Sequence, residues 1–308
     1  MSATAPPWIN AEEVFGRVDF AAAIRAVQRE LRAGLDPAAD FDRSVLPVEA
    51  GQLLLMPSRS SEFVGVKIAS VAPGNPELGR ERIQAVYLLM DAASLSPIAL
   101  LDGTALTTLR TPAVSAAAVD YLAADSIGHL VVFGSGPQAR GHIQALSAIR
   151  SLNRITIVGR NLDRAAALAA DARAMGLPAV LGGSDDVQDA QLVVCATTAR
   201  EPLFDGALVP QECCVVAVGS HEPEARELDS ALIGRCQVVV EDPAAARREA
   251  GDVIVPIAEG VLTASALVPL RDIVAGVASV DFSRPRVFKS SGMSWEDLVV
   301  AAEVYRAG

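Results

Sequence analysis

Residues 127–164 constrain the fold of this chain more than any other stretch, because their pattern predicts one βαβ unit. The apolar run Leu130–Phe133 has the length and the β-branched content of a strand that is buried on both faces. A glycine-containing turn at residues 134–139 ends that strand, and apolar residues at helical spacing follow it. A second strand is predicted at Ile155–Val158. Because a helix connects the two strands, the pattern favours a parallel sheet.

The turn has the spacing of a dinucleotide-binding fingerprint. Gly134, Gly136 and Ala139 match G-x-G-x-x-G/A, in which small residues allow a tight turn, close approach to a pyrophosphate and close helix packing. The free N–H groups at the start of the following helix, together with the positive end of its dipole, form an anion site. A dinucleotide site is therefore predicted here, and Ser135 and Gln138 lie in the same turn.

The residues after the second strand distinguish the two nicotinamide dinucleotides. An acidic side chain there hydrogen-bonds the ribose 2′-hydroxyl of NAD, whereas an arginine can pair with the 2′-phosphate of NADP. This chain has Arg160 followed by Asn161, and Arg164 lies one helical turn further on and could add to a phosphate clamp. We therefore expect NADP(H) at these residues. The alternative is that Arg160 is a solvated residue at a strand end, and NAD(H) is then possible.

Beyond residue 164, predicted helices and strands alternate, which indicates a doubly wound parallel sheet of the Rossmann type. The elements are helices 165–175 and 229–233 and strands 178–181, 191–196, 214–218 and 236–241. The first part of the chain differs, because short strands at 51–57, 63–71, 83–91 and 97–102 predict a mixed or antiparallel sheet.

The fold class is therefore α/β, with a Rossmann-type domain and a second, mixed α+β domain. A helix is predicted at 109–123 with Pro112 in its first turn, and a strand, a serine-glycine loop and a helix are predicted within 287–306. We expect residues 1–118 and 287–308 to form the first domain and residues 119–286 the second.

Composition excludes several classes of protein. With 26 basic and 37 acidic residues, the net charge of -11 argues against a nucleic-acid surface. The chain has neither a signal-peptide pattern nor an apolar run of membrane-spanning length, so a cytoplasmic protein without a membrane partner is expected. Cys195, Cys213, Cys214 and Cys236 form no C-x-x-C pair and are predicted to be buried reduced thiols. The sequence shows no metal-ligand cluster and no serine-histidine-acid arrangement.

Three cations in the first domain are candidates for binding a carboxylate. Lys67 lies within a predicted strand, where a charge is costly unless it is paired or meets a ligand. Arg43 follows a Phe-Asp pair, and Arg110 lies at the start of the predicted helix 109–123. The alternative for each of the three is an edge-strand or surface cation.

His221 is a candidate proton donor in the second domain. It lies in a loop after a predicted strand, and ligands of open α/β sheets bind beyond the carboxyl ends of strands. Its side chain can titrate near neutral pH. The alternative is a loop histidine without a role in catalysis. His129 and His142 are predicted to be structural.

Six stretches together resemble the ornithine cyclodeaminase/mu-crystallin family. They are GVKIASVAPGN, ALLDGTALTTLRTPAVSAAA, VVFGSGPQARGHIQAL, VGSHEPEARELD, EDPAAARREAGD and FKSSG, and they keep the family's order over nearly the whole chain. The resemblance implies a homodimer whose first domain, completed by the C-terminal helix, builds the dimer interface and the substrate pocket. It implies a Rossmann fold for the second domain.

The resemblance also implies roles for particular residues. Cations matching Arg43, Lys67 and Arg110 hold the carboxylate of an amino or imino acid in the family, and Ser291 would lie near the substrate. The positions that would face the cofactor are Ser135, Gly136, Gln138, Ala139, Arg160, Thr197, Val218 and Ser290.

Two departures from the family pattern bear on the reaction. Ornithine cyclodeaminases have an aspartate where this chain has His221. They use NAD, and they usually have an acidic residue where this chain has Arg160. A cyclodeaminase returns the hydride within one turnover, whereas net imine reduction consumes a reduced cofactor. An NADPH-type site therefore favours a reductase of cyclic ketimines.

The expected reaction is hydride transfer from NADPH to the C=N carbon of Δ1-pyrroline-2-carboxylate or Δ1-piperideine-2-carboxylate, giving L-proline or L-pipecolate. The proton could come from Lys67, His221 or a bound water. The alternatives are an NAD-dependent ornithine cyclodeaminase, an alanine- or opine-type dehydrogenase, and a non-catalytic NADP(H)-dependent ligand-binding protein.

Overall fold

The computed structural model describes residues 5–308 of the chain. In chain order, the strands and helices are β1 (Trp8–Ile9), α1 (Ala11–Arg17), α2 (Phe20–Arg32), β2 (Ser44–Val48), β3 (Gly51–Arg59), β4 (Phe63–Val71), β5 (Ile83–Asp91), β6 (Pro97–Asp102), α3 (Gly103–Leu122), β7 (Leu130–Phe133), α4 (Pro137–Ser147), β8 (Ile155–Val158), α5 (Leu162–Ala174), β9 (Ala179–Leu181), β10 (Leu192–Cys195), β11 (Cys214–Ala217), α6 (Ser230–Ile233), β12 (Gln237–Val240), α7 (Pro243–Glu249), α8 (Gly251–Ala258), β13 (Val268–Pro269), α9 (Leu270–Val274), β14 (Arg286–Lys289) and α10 (Ser294–Arg306). Short 3-10 helices lie at Pro37–Ala39, Asn75–Leu78, Ser184–Asp189, Gly206–Leu208 and Ala264–Ala266.

The chain divides into two compact units. The first contains residues up to 30, 36–111 and 293–308, and the second contains residues 31–35 and 112–292. Within residues 5–308, no helix offers a stretch apolar and long enough to reach across a lipid bilayer.

The first unit is built on a mixed sheet in the order β1-β6-β5-β4-β3-β2, counted over residues 5–308. Strand β1 pairs in parallel with β6, and the other neighbours are antiparallel. Side chains alternate between the two faces, as the strand period of two requires. Along β4, the residues from Phe63 to Val71 are buried at every second position, and Lys67 lies in that buried row. Helix α10 packs against β3, β4 and β5.

The second unit contains a parallel sheet in the order β13-β12-β14-β11-β10-β7-β8-β9, again over the described residues. Valines from neighbouring strands, including Val131, Val193, Val215, Val238 and Val287, belong to one hydrophobic core. Such strands are apolar at nearly every position because both faces of the sheet are covered. The predicted α/β fold with a doubly wound Rossmann-type sheet is confirmed.

The strand order reverses at β7. From β7 the chain moves outward through β8 and β9, and it then returns to form β10 and β11 on the other side of β7. In open parallel sheets, ligands bind beyond the carboxyl ends of the strands at such a switch point. The fold therefore places the glycine turn after β7 at the position where this class of sheet binds its ligand.

Helix α3 differs from its predicted bounds. It begins at Gly103, not Leu109, so Pro112 lies inside a 20-residue helix and not in its first turn. The start is fixed by Asp102, whose carboxylate accepts hydrogen bonds from Thr104 N–H at 3.0 Å and Ala105 N–H at 2.9 Å. An N-cap of this kind satisfies amide groups that the first helical turn leaves unpaired. Arg110 consequently lies about two turns inside the helix.

The predicted position of the second domain boundary also differs from the structure. Residues 287–292 were assigned to the first domain, but strand β14 lies between β11 and β12 and is hydrogen-bonded to both. A central strand of a parallel sheet belongs to the core of that sheet, so these residues are part of the second unit. The first unit resumes at Met293, immediately before α10.

Candidate active site

The first glycine of the fingerprint turn is required by two features of the backbone. Gly134 has a φ of +114°, which lies in the region that favours glycine. A Cβ at this position would lie 2.3 Å from the carbonyl oxygen of Ala196, which follows β10. No other residue fits between these two strand ends.

The rest of the turn leaves the start of α4 open to a ligand. Gly136 is the N-cap of α4, Pro137 occupies the first turn, and a Cβ on Gly136 would meet no atom within 4 Å. Ala139 is fully buried, so it provides the close packing expected of the third small position. The buried Oε1 of Gln138 has no hydrogen-bond partner in the described part of the chain. The open first turn of α4 and the buried Ala139 fit a bound dinucleotide pyrophosphate.

The segment with the predicted 2′-phosphate residues lies beside this turn. A Cβ on Gly159 would lie 3.1 Å from the Cβ of Ala165 and 3.7 Å from Ser135 Oγ, so the end of β8 and the glycine turn are close neighbours. Arg160, Asn161 and Arg164 are exposed.

Asn161 also has a structural function. It is the N-cap of α5, and its Oδ1 accepts a hydrogen bond from Arg164 N–H at 2.9 Å. This cap fixes where α5 begins and therefore where the Arg164 side chain leaves the helix.

In the first unit, Lys67 is buried and paired with an acid on the C-terminal helix. Its Nζ lies 2.7 Å from Oδ2 and 2.9 Å from Oδ1 of Asp297, and it donates a longer bond of 3.3 Å to Thr107 Oγ1. The side chains of Lys67 and Asp297 are 3% and 0% exposed. A surface cation is therefore the wrong interpretation of Lys67.

Arg110 belongs to the same cluster. Its Nε donates to Asp297 Oδ1 at 3.1 Å, and its Nη1 pairs with Glu296. Arg110 is also buried, so the surface-cation interpretation is wrong for this residue as well. The two cations and the two acids balance in charge, which is how a protein tolerates several buried ions in one place.

The protonation state of Lys67 is sensitive to this environment. Burial and the nearby charge of Arg110 lower the pKa of Lys67 from 10.5 to about 8, although Asp297 and Glu296 act in the opposite direction. Its neighbour across the sheet is Tyr87, whose hydroxyl is buried and has a pKa raised by burial and by Asp297. Lys67 can therefore lose or gain a proton close to neutral pH, whereas Tyr87 stays protonated.

Arg43 lies two strands away from Lys67 in the first unit, because Ser44 pairs with Leu55 and the next residue of β3, Met56, pairs with Lys67. The structure places it, half-buried, immediately before β2, the edge strand of the sheet. Its assistance in carboxylate binding stays a prediction.

The residues predicted to face the cofactor from the later strands share one edge of the parallel sheet. Thr197 follows β10, Val218 follows β11 and Ser290 follows β14, and these three strands are adjacent. All the strands run in parallel, so this edge is also the edge of the glycine turn. The structure thus brings these predicted positions to the same end of the sheet as Gly134.

The serine loop after β14 is held by Glu241. Ser290 Oγ donates to Glu241 Oε1 at 2.5 Å, Ser291 N–H donates to Oε2 at 3.0 Å, and Gly292 N–H donates to Oε1 at 3.2 Å. Ser290 is buried and Ser291 is half-buried. One carboxylate therefore sets the shape of the loop that carries the predicted cofactor and substrate residues.

The three histidines occupy different environments. His221 is half-buried in the loop after β11, one residue beyond Ser220, whose carbonyl accepts a bond of 2.7 Å from buried Lys289. His142 is fully buried, with Nδ1 2.7 Å from the carbonyl of Gln138 and Nε2 2.9 Å from Ser115 Oγ. His129 Nε2 lies 2.8 Å from Thr156 Oγ1. The contacts of His129 and His142 are those of structural residues.

Several buried charges at these sites were not predicted. Glu296 and Asp297 were not singled out in the sequence, and both are fully buried against cations of the first unit. Glu227 and Lys289 were not singled out, although both are buried at the carboxyl edge of the parallel sheet. Their partners are distant in sequence, so spacing carries no signal for them.

The four cysteines are free and buried, as predicted, and burial raises the pKa of each thiol. Among the residues that the structure describes, no group of histidine, cysteine, aspartate or glutamate side chains could hold a metal ion.

The chain matches the model of the ornithine cyclodeaminase/mu-crystallin family over residues 10–307. It is 34% identical over 281 residues to the Delta(1)-pyrroline-2-carboxylate reductase of Bacillus cereus, with 86% of each chain covered. It is 35% identical over 259 residues to the Delta(1)-pyrroline-2-carboxylate/Delta(1)-piperideine-2-carboxylate reductase of Azospirillum brasilense, covering 83% of this chain and 81% of that one. The Thermococcus litoralis Delta(1)-pyrroline-2-carboxylate reductase, solved with NADH and L-proline, has a TM-score of 0.92 at 28% identity, covering 97% and 96% of the two chains.

Proposed function

This chain belongs to the ornithine cyclodeaminase/mu-crystallin family, and we propose that it is an NADPH-dependent reductase of a small cyclic imino acid. The substrate class is a cyclic ketimine such as Δ1-pyrroline-2-carboxylate or Δ1-piperideine-2-carboxylate. Relatives that share about a third of its residues are named as reductases of these two compounds. The observation that carries the proposal for this chain is the buried cluster in which Asp297 holds Lys67 and Arg110 together.

In this proposal, the cations of the first unit bind and orient the imino acid. Arg110 and Lys67 take the substrate carboxylate, and Arg43 assists them. Asp297 contacts both cations, so their N–H groups are oriented before the substrate arrives and little ordering is needed on binding. Ser291 contacts the substrate from the loop that Glu241 holds.

The reaction also needs a proton at the imine nitrogen. When bound, NADPH supplies the hydride for the C=N carbon. An iminium accepts hydride better than a neutral imine does, and a group with a pKa near the working pH transfers a proton most efficiently. Lys67, with its pKa lowered to about 8, meets that condition. His221 and a bound water are the other candidate donors.

The proposed cofactor site is formed by the glycine turn and the segments beside it. The N–H groups at the start of α4 would hold the pyrophosphate, and Arg160 with Arg164 would pair with the 2′-phosphate. The residues proposed to contact the cofactor are Gly134, Ser135, Gly136, Gln138, Ala139, Arg160, Asn161, Arg164, Thr197, Val218 and Ser290.

We further propose that the active form is a homodimer and that it works in the cytoplasm. The outer face of the mixed sheet is apolar and incompletely buried in one chain, with Leu55, Ile68 and Val86 adjacent across β3, β4 and β5. Contiguous exposed apolar surface of this kind is typical of a protein interface. Free cysteines are typical of a reducing compartment.

The test is to mix the purified protein with each imino acid and NADPH and to follow the loss of reduced-nicotinamide absorbance. We expect turnover with at least one of the two imines, with L-proline or L-pipecolate as the product. Release of ammonia from L-ornithine with NAD and no net change in cofactor would instead support a cyclodeaminase. Saturable NADPH binding without turnover of any imino acid would support a binding protein.

A further inference from the structure

The carboxylate of Glu227 connects two loops at the carboxyl edge of the parallel sheet. Its Oε1 accepts hydrogen bonds from the N–H and the hydroxyl of Thr197, at 2.9 and 2.7 Å, and its Oε2 accepts one from Gly219 N–H at 2.7 Å. Thr197 follows β10 and Gly219 follows β11. Each carboxylate oxygen therefore holds a different loop, and the Glu227 side chain is fully buried between them.

Glu227 is itself held in place by a second buried acid. Asp252 Oδ1 accepts from the N–H groups of Glu227 and Leu228, at 2.7 and 2.8 Å. Its Oδ2 lies 3.1 Å from Lys289 Nζ, and Lys289 also donates to the carbonyl of Ser220 at 2.7 Å. One connected set of charges therefore joins the loops after β10 and β11 to the end of β14.

The two loops approach each other so closely that the carboxylate has little freedom to shift. A Cβ on Gly219 would lie 2.1 Å from the carbonyl oxygen of Thr197 and 2.5 Å from Glu227 Oε1. Apolar side chains of similar volume would fill this space without the cost of burying charges. Hydrogen bonds to a carboxylate, in contrast, set the direction of each backbone N–H. This favours a role in orienting the loops over a role in filling the core.

The hydroxyl of Thr197 has no hydrogen to offer to a ligand. It donates its hydrogen to Glu227 and accepts a bond of 3.1 Å from Ala199 N–H. A ligand at this edge would therefore depend on the position of the Thr197 and Val218–Gly219 backbone, and Glu227 determines that position.

We propose that Glu227 is a positioning residue for the nicotinamide end of the cofactor, an inference that rests on the proposed function. It keeps the loops after β10 and β11 in the shape that receives the nicotinamide ring. The adenosine end lies at the glycine turn and Arg160, and no hydrogen bond of the Glu227 carboxylate reaches those segments.

The test compares two ligands on Glu227→Gln. The glutamine keeps the size of the side chain but places an NH2 donor against an N–H donor of one loop. We expect the Kd of NADPH to rise about tenfold or more, since bonds to a charged group are lost. The Kd of 2′-phospho-ADP-ribose, which lacks nicotinamide, should stay within about twofold. Glu224→Gln, an exposed glutamate in the same segment, is the control and should change neither value.

Equal weakening of both ligands, or no weakening of either, would overturn the proposal and leave Glu227 as a support of the domain. Both Kd values are measured by fluorescence or calorimetry without an imino acid. The result can therefore be interpreted even if the wild-type protein reduces no imino acid. A failure of the proposed function appears instead as absent NADPH consumption by the wild-type protein.

Wild-type crystals provide a second test if Glu227→Gln does not fold. With NADP bound, the ring should lie within about 4 Å of Thr197 or Val218–Gly219, with the three hydrogen bonds to Glu227 intact. With 2′-phospho-ADP-ribose, the same loops should be free of ligand contacts. A nicotinamide ring bound away from both loops would contradict the proposal.

Discussion

Lys67 shows how a single residue can link burial to catalysis. Its pKa is lowered to about 8, so the side chain loses its proton as the pH rises through that value. Both proposed roles, carboxylate binding and proton donation, need the protonated form. We expect kcat/KM for the imino acid to be highest below about pH 8 and to fall about tenfold per unit above it. Steady-state rates across a pH series measure this profile.

Lys67→Arg separates the two roles of Lys67. Arginine stays charged at high pH but does not give up a proton, so the variant should lose the decline above pH 8. If Lys67 donates the proton, kcat should also fall on the order of a hundredfold. An unchanged profile in the variant would mean that another group, or the substrate itself, is the one that titrates.

Arg160 determines cofactor choice in the proposal, and its contribution is a charge contact at an exposed position. Arg160→Asp should raise the Kd of NADPH about a hundredfold, because the variant replaces a pairing charge with a repelling one. The Kd of NADH should change about threefold or less, since NADH has no 2′-phosphate. The control is Arg173→Asp in the last turn of α5, an exposed arginine whose Nη1 donates to the carbonyl of Ala179 at 2.9 Å, and it should change neither Kd. An equal rise in the Kd of NADPH and of NADH would show that Arg160 does not pair with the 2′-phosphate.

At the scale of single elements, strands were more predictable than helix starts or buried charges. The bounds of β4, β5, β6, β7 and β8 agree with the predicted ranges, because alternating or continuous apolar runs determine them. The start of α3 was missed because Asp102, which caps it, also ends the preceding strand.

Buried acids could not be predicted, because their partners are far away in sequence. Asp297 is stable in the interior because Lys67, 230 residues earlier, and Arg110, 187 residues earlier, lie against it. In sequence, Asp297 is an ordinary acid in the first turn of a helix, where acids are common. The glycine turn, in contrast, was predictable because its requirements are local. The sequence therefore indicated the glycine turn and the two buried cations, but not the acids that pair with those cations.

Helix α4 depends on a histidine that must stay neutral. His142 contacts the carbonyl of Gln138 in the first turn of α4 and Ser115 on α3, and burial lowers its pKa from 6.5 to about 4. Between these values the unfolded chain binds a proton that the folded chain does not. The contribution of His142 should therefore lower the free energy of unfolding by about 2 kcal/mol when the pH is lowered from about 7.5 to about 5.

His142→Asn should remove that part of the pH dependence, although it lowers stability at every pH by breaking two contacts. Urea unfolding at the two pH values gives the comparison. If the wild type and His142→Asn lose the same free energy between pH 7.5 and pH 5, His142 does not titrate as the structure implies.

At the scale of the whole molecule, the mixed sheet has a partly exposed apolar face, which we propose as the interface with a second copy of the chain. Ile68 at the centre of that face is 39% exposed, and Leu55 and Val86 are its partners across the neighbouring strands. We expect Ile68→Glu to shift the protein from dimer to monomer. Burying an unpaired carboxylate in the interface costs more free energy than the apolar contacts of Ile68 contribute. Light scattering coupled to size-exclusion chromatography measures the mass directly.

The matched control is Val277→Glu, which adds the same charge at an apolar residue of the second unit that is 77% exposed. This variant should remain a dimer, because Val277 is not part of the mixed sheet and belongs to the second unit. Since Lys67, which we propose to bind the substrate, lies on the same strand as Ile68, the monomer should also lose affinity for the imino acid. A wild-type protein that is monomeric at micromolar concentration, or an Ile68→Glu variant that stays dimeric, would exclude this face as the interface.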